Sequence, residues 1–414
     1  MEVLRELVEF CSARSVRLLL RSEGKADDSN TLIARFYELL RQGKLPEREI
    51  VVRLYGEEAT TSLPRYQALK TRLKKLLYDA VLISSTDDSN VDFYEAADRM
   101  GQRNCSVARV LASRNKYHSA SELLLKTWTK VHKYEIPLLN FDIASALSGL
   151  HLGPMYDEKM HLKFSQEAQK YFAMAIASYE ILKMHRSVRN AIYARRMPPL
   201  EIGRLAIKLV SNNKSIQEKY LDVPVIQTLC ATTEIQGYSL LGKYKEAIEA
   251  AERGTMYLKK CESVSGNSMS LIGILRLESF IKFHEFEFSV GQINLERNSN
   301  HHGPKATIRI SELAIRLGLN TREYLYSYCE LAHCDFAHLR LHLKPKHLEY
   351  WLILEAWVNF LLEAGKVNPG LNSPGLRKFK LGKFINSVPS HSGLKKGMNI
   401  QILILQIAFF LLRK

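Results

Sequence analysis

Polar, turn-rich segments divide this chain into stretches whose apolar residues recur at helical spacing, often in pairs. Such segments occupy residues 22–30, 84–90, 211–215, 263–268 and 366–375. Leu, Ala, Glu, Lys and Arg are abundant, whereas 414 residues include only 12 Pro and 21 Gly, a balance that favours helices. No run of alternating strand residues stands out. The sequence therefore predicts an all-α fold, and a hydrophobic content of 46% is enough to bury a sizeable core.

The most specific pattern is LLGKYKEAIEAAERG, at residues 240–254. It places Gly242 and Tyr244 before small residues at Ala247, Ala251 and Gly254, and Tyr238 lies six residues before Tyr244. This stretch resembles the second half of a tetratricopeptide repeat, which would cover about residues 228–261. The resemblance implies a turn at the glycine and a close approach of two helices at the small residues.

The same resemblance implies the architecture of most of the chain. We expect a superhelical array of antiparallel helix pairs over residues 91–414, preceded by a small helical unit at residues 1–85. A weaker helix pair is visible where Leu124, Trp128 and Val131 share one face and Pro137 begins the next helix. Repeat arrays keep their helix pairs while the sequence marks decay, because each repeat needs only to bury one face on the next.

A scaffold of this kind points to recognition, not to a reaction. We expect a non-enzymatic, bacterial-type interaction protein whose concave surface holds an extended or helical segment of a protein or peptide partner. Within the most specific repeat, the resemblance implies exposed contact positions at Glu234, Gln236 and Lys243.

Residues 45–83 carry a second pattern, a short helix and a longer cationic helix with Pro46 and Pro64 early in their first turns. The first offers Ile50, Val51 and Leu54 to a core and stops at Gly56. The apolar residues of the second recur at i, i+3 and i+4, and are Tyr66, Leu69, Leu73, Leu76 and Leu77. Its other face is basic, without an acid before Asp79, and carries Arg65, Lys70, Arg72, Lys74 and Lys75.

This pair resembles the DNA-reading helices of bacterial activators in which a winged helix-turn-helix precedes a tetratricopeptide-like domain. The connection at residues 57–63 is longer than usual in such motifs, and no strand pair for a wing follows Ile83. The resemblance implies an alternative function, a nucleic-acid-binding regulator whose array senses a signal or dimerises. A solvated surface helix explains the same pattern without nucleic acid.

The net charge of +16 is unevenly distributed, because no Asp or Glu occurs from Gly365 onward. Such an asymmetry is typical of a protein with an anionic partner, either nucleic acid or an acidic protein surface. A solvated basic face remains the alternative.

Two local patterns suggest chemistry, and neither fits it. GYSLLGKY, residues 237–244, lacks the Ser or Thr that a phosphate-binding loop needs after its lysine, because Tyr244 stands there. A Cys and His cluster near residue 335 lies on one predicted helix in two separate stripes, so one zinc ion could not gather four of its members: Cys329, His333, Cys334, His338 and His342. We therefore predict no catalytic residue, no metal and no cofactor.

The spacing of the cysteines and the residue types near both ends of the chain indicate its compartment. Six dispersed cysteines do not form a disulfide framework, and the first ten residues read as an amphipathic helix without a cleavage site. The apolar run at residues 400–412 is shorter than the roughly 20 residues that a bilayer needs. We predict a cytoplasmic protein without membrane contact, in which this run is a buried helix that either docks into the array or awaits a partner helix missing from a shortened chain.

Overall fold

The structure is a computed structural model, and it describes the chain except for residues 12, 23–31, 44, 58, 85–92, 195, 262–265, 284–285, 299–303, 337–338, 340–342, 344, 371–374, 378, 388–395 and 414. Within the described residues the regular elements are helices and no strand occurs. The predicted all-α fold is thereby confirmed. The chain forms two compact units, Met1–His132 with Asp142–Ala168, and Lys133–Phe141 with Gln169–Lys414. The predicted domain boundary between residues 85 and 91 lies outside the described residues.

Helices α1 to α7 belong to the first unit. They are α1 (Glu2–Phe10), α2 (Ala13–Ser22), α3 (Leu32–Arg41), α4 (Glu47–Tyr55), α5 (Pro64–Ser84), α6 (Phe93–Ser113) and α7 (Tyr117–Val131). A 3₁₀ helix (His132–Tyr134) follows, and residues of α8 (Pro137–Leu152) and α9 (Glu158–Ala194) contribute to both units.

Helices α10 to α20 belong to the second unit. They are α10 (Pro199–Asn212), α11 (Lys214–Lys219), α12 (Pro224–Leu240), α13 (Tyr244–Lys260), α14 (Gly266–Phe283), α15 (Phe286–Arg297), α16 (Pro304–Thr321), α17 (Tyr324–Ala332), α18 (Pro345–Glu363), α19 (Leu381–Ser387) and α20 (Lys396–Leu412).

The first five helices pack around a shared apolar core, in which α5 contacts α1, α2 and α3. Phe36 and Tyr66 lie at its centre with their rings 5.6 Å apart. Helix α4 ends before Gly56, whose φ of 96° is unfavourable for a residue with a side chain. The apolar positions predicted for α4 and α5 are confirmed as core: Ile50, Val51, Leu54, Tyr66, Leu73, Leu76 and Leu77 are buried, and Leu69 is half-buried.

In the second unit, alternate helices pack on one another. Helix α12 contacts α10 and α14, α16 contacts α14 and α18, and the helix between each two packs against its neighbours along the chain. The connections from α12 to α13 and from α16 to α17 are three and two residues long, lengths typical of antiparallel helical hairpins.

The pair α12 and α13 has the local features that the sequence predicted. Gly242 forms the turn with a φ of 72°, and Ala247, Ala251 and Gly254 are buried on the inner side of α13. A Cβ atom built on Gly254 would lie 2.6 Å from the Cβ of Ala231 on α12, so only glycine fits at this crossing without movement.

The same turn recurs at two other hairpins. Asn115 precedes α7 with a φ of 60° and Arg322 precedes α17 with a φ of 68°. One residue with a φ of about −90° follows each of the three turn residues, and a half-buried tyrosine then begins the helix: Tyr117, Tyr244 and Tyr324. Only the turn at Gly242 was predicted from the sequence, because asparagine and arginine stand where glycine marks the turn.

The helix at the end of the chain differs from its prediction as a buried helix. Leu405 and Phe409 are buried against Ile353 and Ala356 of α18. On its other side, large apolar side chains are exposed, including Leu403, Ile407 and Phe410 at 56%, 59% and 61%. The prediction was wrong for this face, because α18 and α19 cover only one side of α20. Among the described residues, no helix combines the length and apolar character that a membrane crossing requires.

Substituting Gly254 tests the crossing of α12 and α13. We expect Gly254→Ala to lower the free energy of unfolding, because overpacking costs about 1–3 kcal/mol and outweighs the helix propensity of alanine. Gly291→Ala in α15, where a Cβ meets no atom within 4 Å, should raise the free energy of unfolding by up to about 1 kcal/mol. Urea unfolding followed by circular dichroism measures both. Equal stabilities of the two variants would contradict the close crossing.

A buried histidine between α9 and α12 predicts a pH effect. The Nδ1 atom of His185 lies 2.9 Å from Oγ1 of Thr233, and burial, helped by the charge of Arg189, lowers the pKa of His185. In the unfolded chain the pKa is near 6.5, so the unfolded state takes up the proton first as the pH falls. The neutral form therefore contributes stability above about pH 6.5, and this contribution is lost as the pH falls towards the lower folded pKa.

We expect His185→Gln to reduce the loss of stability between about pH 7.5 and pH 5.5, the window that brackets the unfolded pKa. The measurement is the urea midpoint at both pH values. His118→Gln, at an exposed position, should keep the wild-type difference. A wild-type difference in His185→Gln would show that His185 does not carry the effect.

Candidate interaction surfaces

The three predicted partner-binding residues differ in their exposure and in their contacts. Glu234 is 20% exposed, and its Oε1 accepts a hydrogen bond of 2.8 Å from Nη2 of Arg253 on α13. Gln236 is half-buried, with a buried Oε1 that has no hydrogen-bond partner among the described residues. The two lie about 200° apart around α12. Lys243, in the turn, is exposed and lies 3.8 Å from Glu246.

A groove with converging polar groups lies farther along the second unit. Its volume is about 290 Å³, and we call it the α14–α16 groove. The first residue of α13 and the C-terminal halves of α14 and α16 supply its walls, which are Tyr244, Glu278, Ile281, Lys282, Leu313, Arg316 and Asn320. The Nζ atom of Lys282 lies 5.2 Å from the centre of the Tyr244 ring, and a cation over an aromatic face is stabilised there.

The acids around this groove are occupied by another arginine. Arg309 donates hydrogen bonds to both Glu278 and Glu312. Burial alone would lower the pKa of Arg309, but the charges of Glu312 and Glu278 outweigh burial and raise it. Arg316 also lies near Glu312, but the distance of 3.9 Å is longer than that of a hydrogen-bonded ion pair. Lys282 and Arg316 therefore leave the groove with a net capacity to bind an anionic group.

Apolar surface lies directly beside these cations. Ile281 is half-buried and Leu313 forms the floor of the groove at 2% exposure. Asn320, exposed at the end of α16, can donate and accept hydrogen bonds, as a partner's main chain requires. The arrangement is suited to a peptide segment that carries an acid next to an apolar residue.

Lys282, Arg316 and Asn320 were not predicted from the sequence. They lie outside the most specific repeat, and no motif marks them. A signal was available in the recurring turn: Tyr324 occupies the position of Tyr244 two hairpins on. That correspondence makes α16 equivalent to α12, so the exposed residues of α16 could have been compared with those of α12.

The basic face predicted on α5 is largely exposed. Arg65, Arg72, Lys74 and Lys75 are exposed, and Lys74 lies 5.6 Å from the ring centre of Tyr78. Lys70 differs. Its Nζ is 2.8 Å from Oε1 of Glu47 on α4.

That ion pair gives Lys70 a role between two helices. Its side chain is 22% exposed, and Tyr66 donates a second hydrogen bond of 3.2 Å to the same carboxylate. Burial would raise the pKa of Glu47, but the hydrogen bond and charge of Lys70 outweigh it and lower the pKa. Lys70 thus holds α5 to α4, and four of the five predicted basic residues face solvent.

The cysteine and histidine cluster is only partly described, because His338 and His342 lie outside the described residues. The Nδ1 atom of His333 is 2.6 Å from the carbonyl oxygen of Cys329, and Cys334 donates from Sγ to the carbonyl of Glu330 at 3.2 Å. Burial raises the pKa of Cys334 to about 12, so its thiol is protonated at neutral pH and is a poor nucleophile. No group of three or more His, Cys, Asp or Glu among the described residues could hold a metal ion.

A cavity of about 500 Å³ lies beside this cluster. It is lined by residues that include Arg297, Glu330, Asp335 and Trp351. Arg297 and Glu330 form a two-pronged ion pair with distances of 3.3 and 2.7 Å, which joins α15 to α17. Arg297 and Glu330 thus neutralise each other in this cavity, whereas Lys282 of the α14–α16 groove lies beside the ring of Tyr244.

No family model, no curated protein and no solved structure matches this chain.

Proposed function

We propose that this chain is a non-enzymatic interaction scaffold, tetratricopeptide-like in its second unit, that binds a protein or peptide partner in the α14–α16 groove. The observation that carries the proposal is the pair of cations, Lys282 and Arg316, beside the apolar residues Ile281 and Leu313 in one groove. Alternate packing of helices and the repeated αL turn support a repeat array. The superhelical arrangement is part of the proposal.

The groove recognises its partner by charge and by burial together. An acidic side chain of the partner would lie between Lys282 and Arg316, where an ion pair close to apolar surface is screened less than one in open solvent. An adjacent apolar side chain would cover the exposed part of Ile281, beside the already buried Leu313. The six cysteines are free, which supports a reducing compartment such as the cytoplasm.

Peptides can be selected from a random display library by their binding to the wild-type protein, and we expect them to bind in the α14–α16 groove. The double variant Lys282→Glu, Arg316→Glu should weaken their binding by at least about tenfold, equivalent to about 1.4 kcal/mol, because it reverses the charge that faces the partner's acid. Calorimetry or fluorescence anisotropy measures the dissociation constants.

The double variant Lys208→Glu, Lys245→Glu, at exposed positions of α10 and α13, reverses the same number of charges and is the matched control, which should bind the selected peptides as the wild type does. The proposal fails if the library yields no binding peptide, or if the groove variant and the control bind equally well.

A second candidate function is favoured by the exposed cations of α5. A nucleic-acid-binding regulator would use Arg65, Arg72, Lys74 and Lys75 on phosphates or bases, with the helical array as its sensor or dimerisation domain. Their exposure on one helix of the first unit supports this candidate. Lys70, the fifth predicted basic residue, also pairs with Glu47 of α4.

A duplex DNA of random sequence tests the second candidate. If α5 binds nucleic acid, the affinity should fall steeply with salt, and Arg65→Glu with Lys75→Glu should weaken binding by at least about tenfold, or about 1.4 kcal/mol. Fluorescence anisotropy between low and physiological salt measures both effects. The same affinity in wild type and double variant would remove α5 from consideration.

A further inference from the structure

Helix α9 exposes a line of residues that are alternately four and three positions apart. Within the second unit this line, which we call the α9 stripe, consists of Phe172, Ile176, Tyr179, Lys183, Arg186, Asn190 and Tyr193, all exposed. The spacing repeats every 3.5 residues on average and extends over three heptads. At 1.5 Å per residue its length is about 31 Å.

Any helix presents residues at this spacing to solvent, so the spacing alone does not distinguish the stripe from an ordinary solvated face. The residue types do. Phe172, Ile176 and Tyr179 are 51%, 51% and 60% exposed. The opposite side of α9 already supplies the core, because Tyr171, Met174, Ile181 and Val188 are buried. Each of the three apolar residues nevertheless leaves about half or more of its surface exposed, although the ring of Phe172 lies 5.2 Å from that of Phe141 between centres.

The second half of the stripe is positively charged. Residues 181–200 contain no Asp or Glu, and Lys183, Arg186 and Arg189 are exposed there. Glu180 is 3.6 Å from Lys183 and offsets one of these charges. Arg189 donates a 3.0 Å hydrogen bond to the hydroxyl of Tyr193 and lies over its ring. The stripe thus has an apolar half and a basic half.

We propose that the α9 stripe is a seam that binds an amphipathic α-helix of a partner protein. Apolar side chains of the partner helix would pack against Phe172, Ile176 and Tyr179, and its acidic side chains would pair with Lys183 and Arg186. A seam with a 3.5-residue repeat is complementary to another helix. Its charge selects an acidic partner. Phe, Tyr and Arg are residues that contribute most to protein interfaces.

The order of residue types along the seam adds specificity. Three apolar positions are followed by three polar ones, Lys183, Arg186 and Asn190, so a partner helix shifted along the seam would place apolar side chains on charged ones. Single-stranded nucleic acid would use the basic half and could stack on Tyr179 or Tyr193, but it would not require Ile176. The seam uses none of the residues of the α14–α16 groove, so the two proposals fail independently.

Synthetic peptides of about three heptads test the seam. One peptide carries leucines at the seam positions of its N-terminal half and glutamates at those of its C-terminal half, and a second has the halves exchanged, so that parallel and antiparallel pairing are both covered. A third set replaces the glutamates with lysines. Labelled peptides are titrated with the full chain and followed by fluorescence anisotropy.

We expect one of the acidic peptides to bind and its lysine counterpart to bind at least about tenfold more weakly. Ile176→Ser and Arg186→Glu should each weaken the binding of the acidic peptide by at least about tenfold, a change of about 1.4 kcal/mol in binding free energy. Arg186→Glu should gain affinity for the lysine peptide, a rescue that unfolding could not produce. Lys245→Glu, exposed on α13, is the charge-matched control and should bind as the wild type does.

Three results would overturn the proposal. Neither acidic peptide binds the wild type, or Ile176→Ser binds the acidic peptide as the wild type does, or Arg186→Glu shows no charge-swap rescue. A single-stranded oligothymidylate that binds in a manner dependent on Arg186 and independent of Ile176 would assign the stripe to nucleic acid instead.

Discussion

The close crossing of neighbouring helices at glycine is the constraint on which the second unit depends. A Cβ on Gly254 would lie 2.6 Å from Ala231, and one on Gly318 would lie 2.4 Å from Oγ of Ser327. Similar crossings involve Gly203 with Gly237 on α10 and α12. Because helices that approach so closely leave little room for other geometries, these contacts fix the positions of the helices that carry the α14–α16 groove.

Polar contacts between helices complete this arrangement and leave some cations without a strong acid partner. Arginine and glutamate pair across α12 and α13, α14 and α15, and α15 and α17. Around the groove, Arg309 occupies both Glu278 and Glu312. Lys282 and Arg316 lie at the α14–α16 groove and Arg186 lies on the α9 stripe, and none of the three takes part in these pairs between helices.

The two proposed surfaces differ in how they would recognise a partner. The α14–α16 groove is concave and short, which suits a peptide segment. The α9 stripe is convex and long, which suits a helix that lies along it. As proposed, the two surfaces would bind two partner segments, and both surfaces would attract acidic ones. The basic face of α5 offers a third surface with the same sign of charge.

What the sequence by itself determined was local: the all-α fold, the core faces of α4 and α5, the turn at Gly242 and the small residues of α13. These follow from spacing and residue type, because helix periodicity and glycine conformation are properties of neighbouring residues. Tertiary structure decided the rest. The turns at Asn115 and Arg322 take a strained conformation that their residue types do not announce, Lys70 pairs with a glutamate 23 positions away, and one face of α20 stays exposed because α18 and α19 cover only the other. The groove joins residues from three helices, and a contact between distant residues depends on which helices cross, which periodicity within one helix cannot specify.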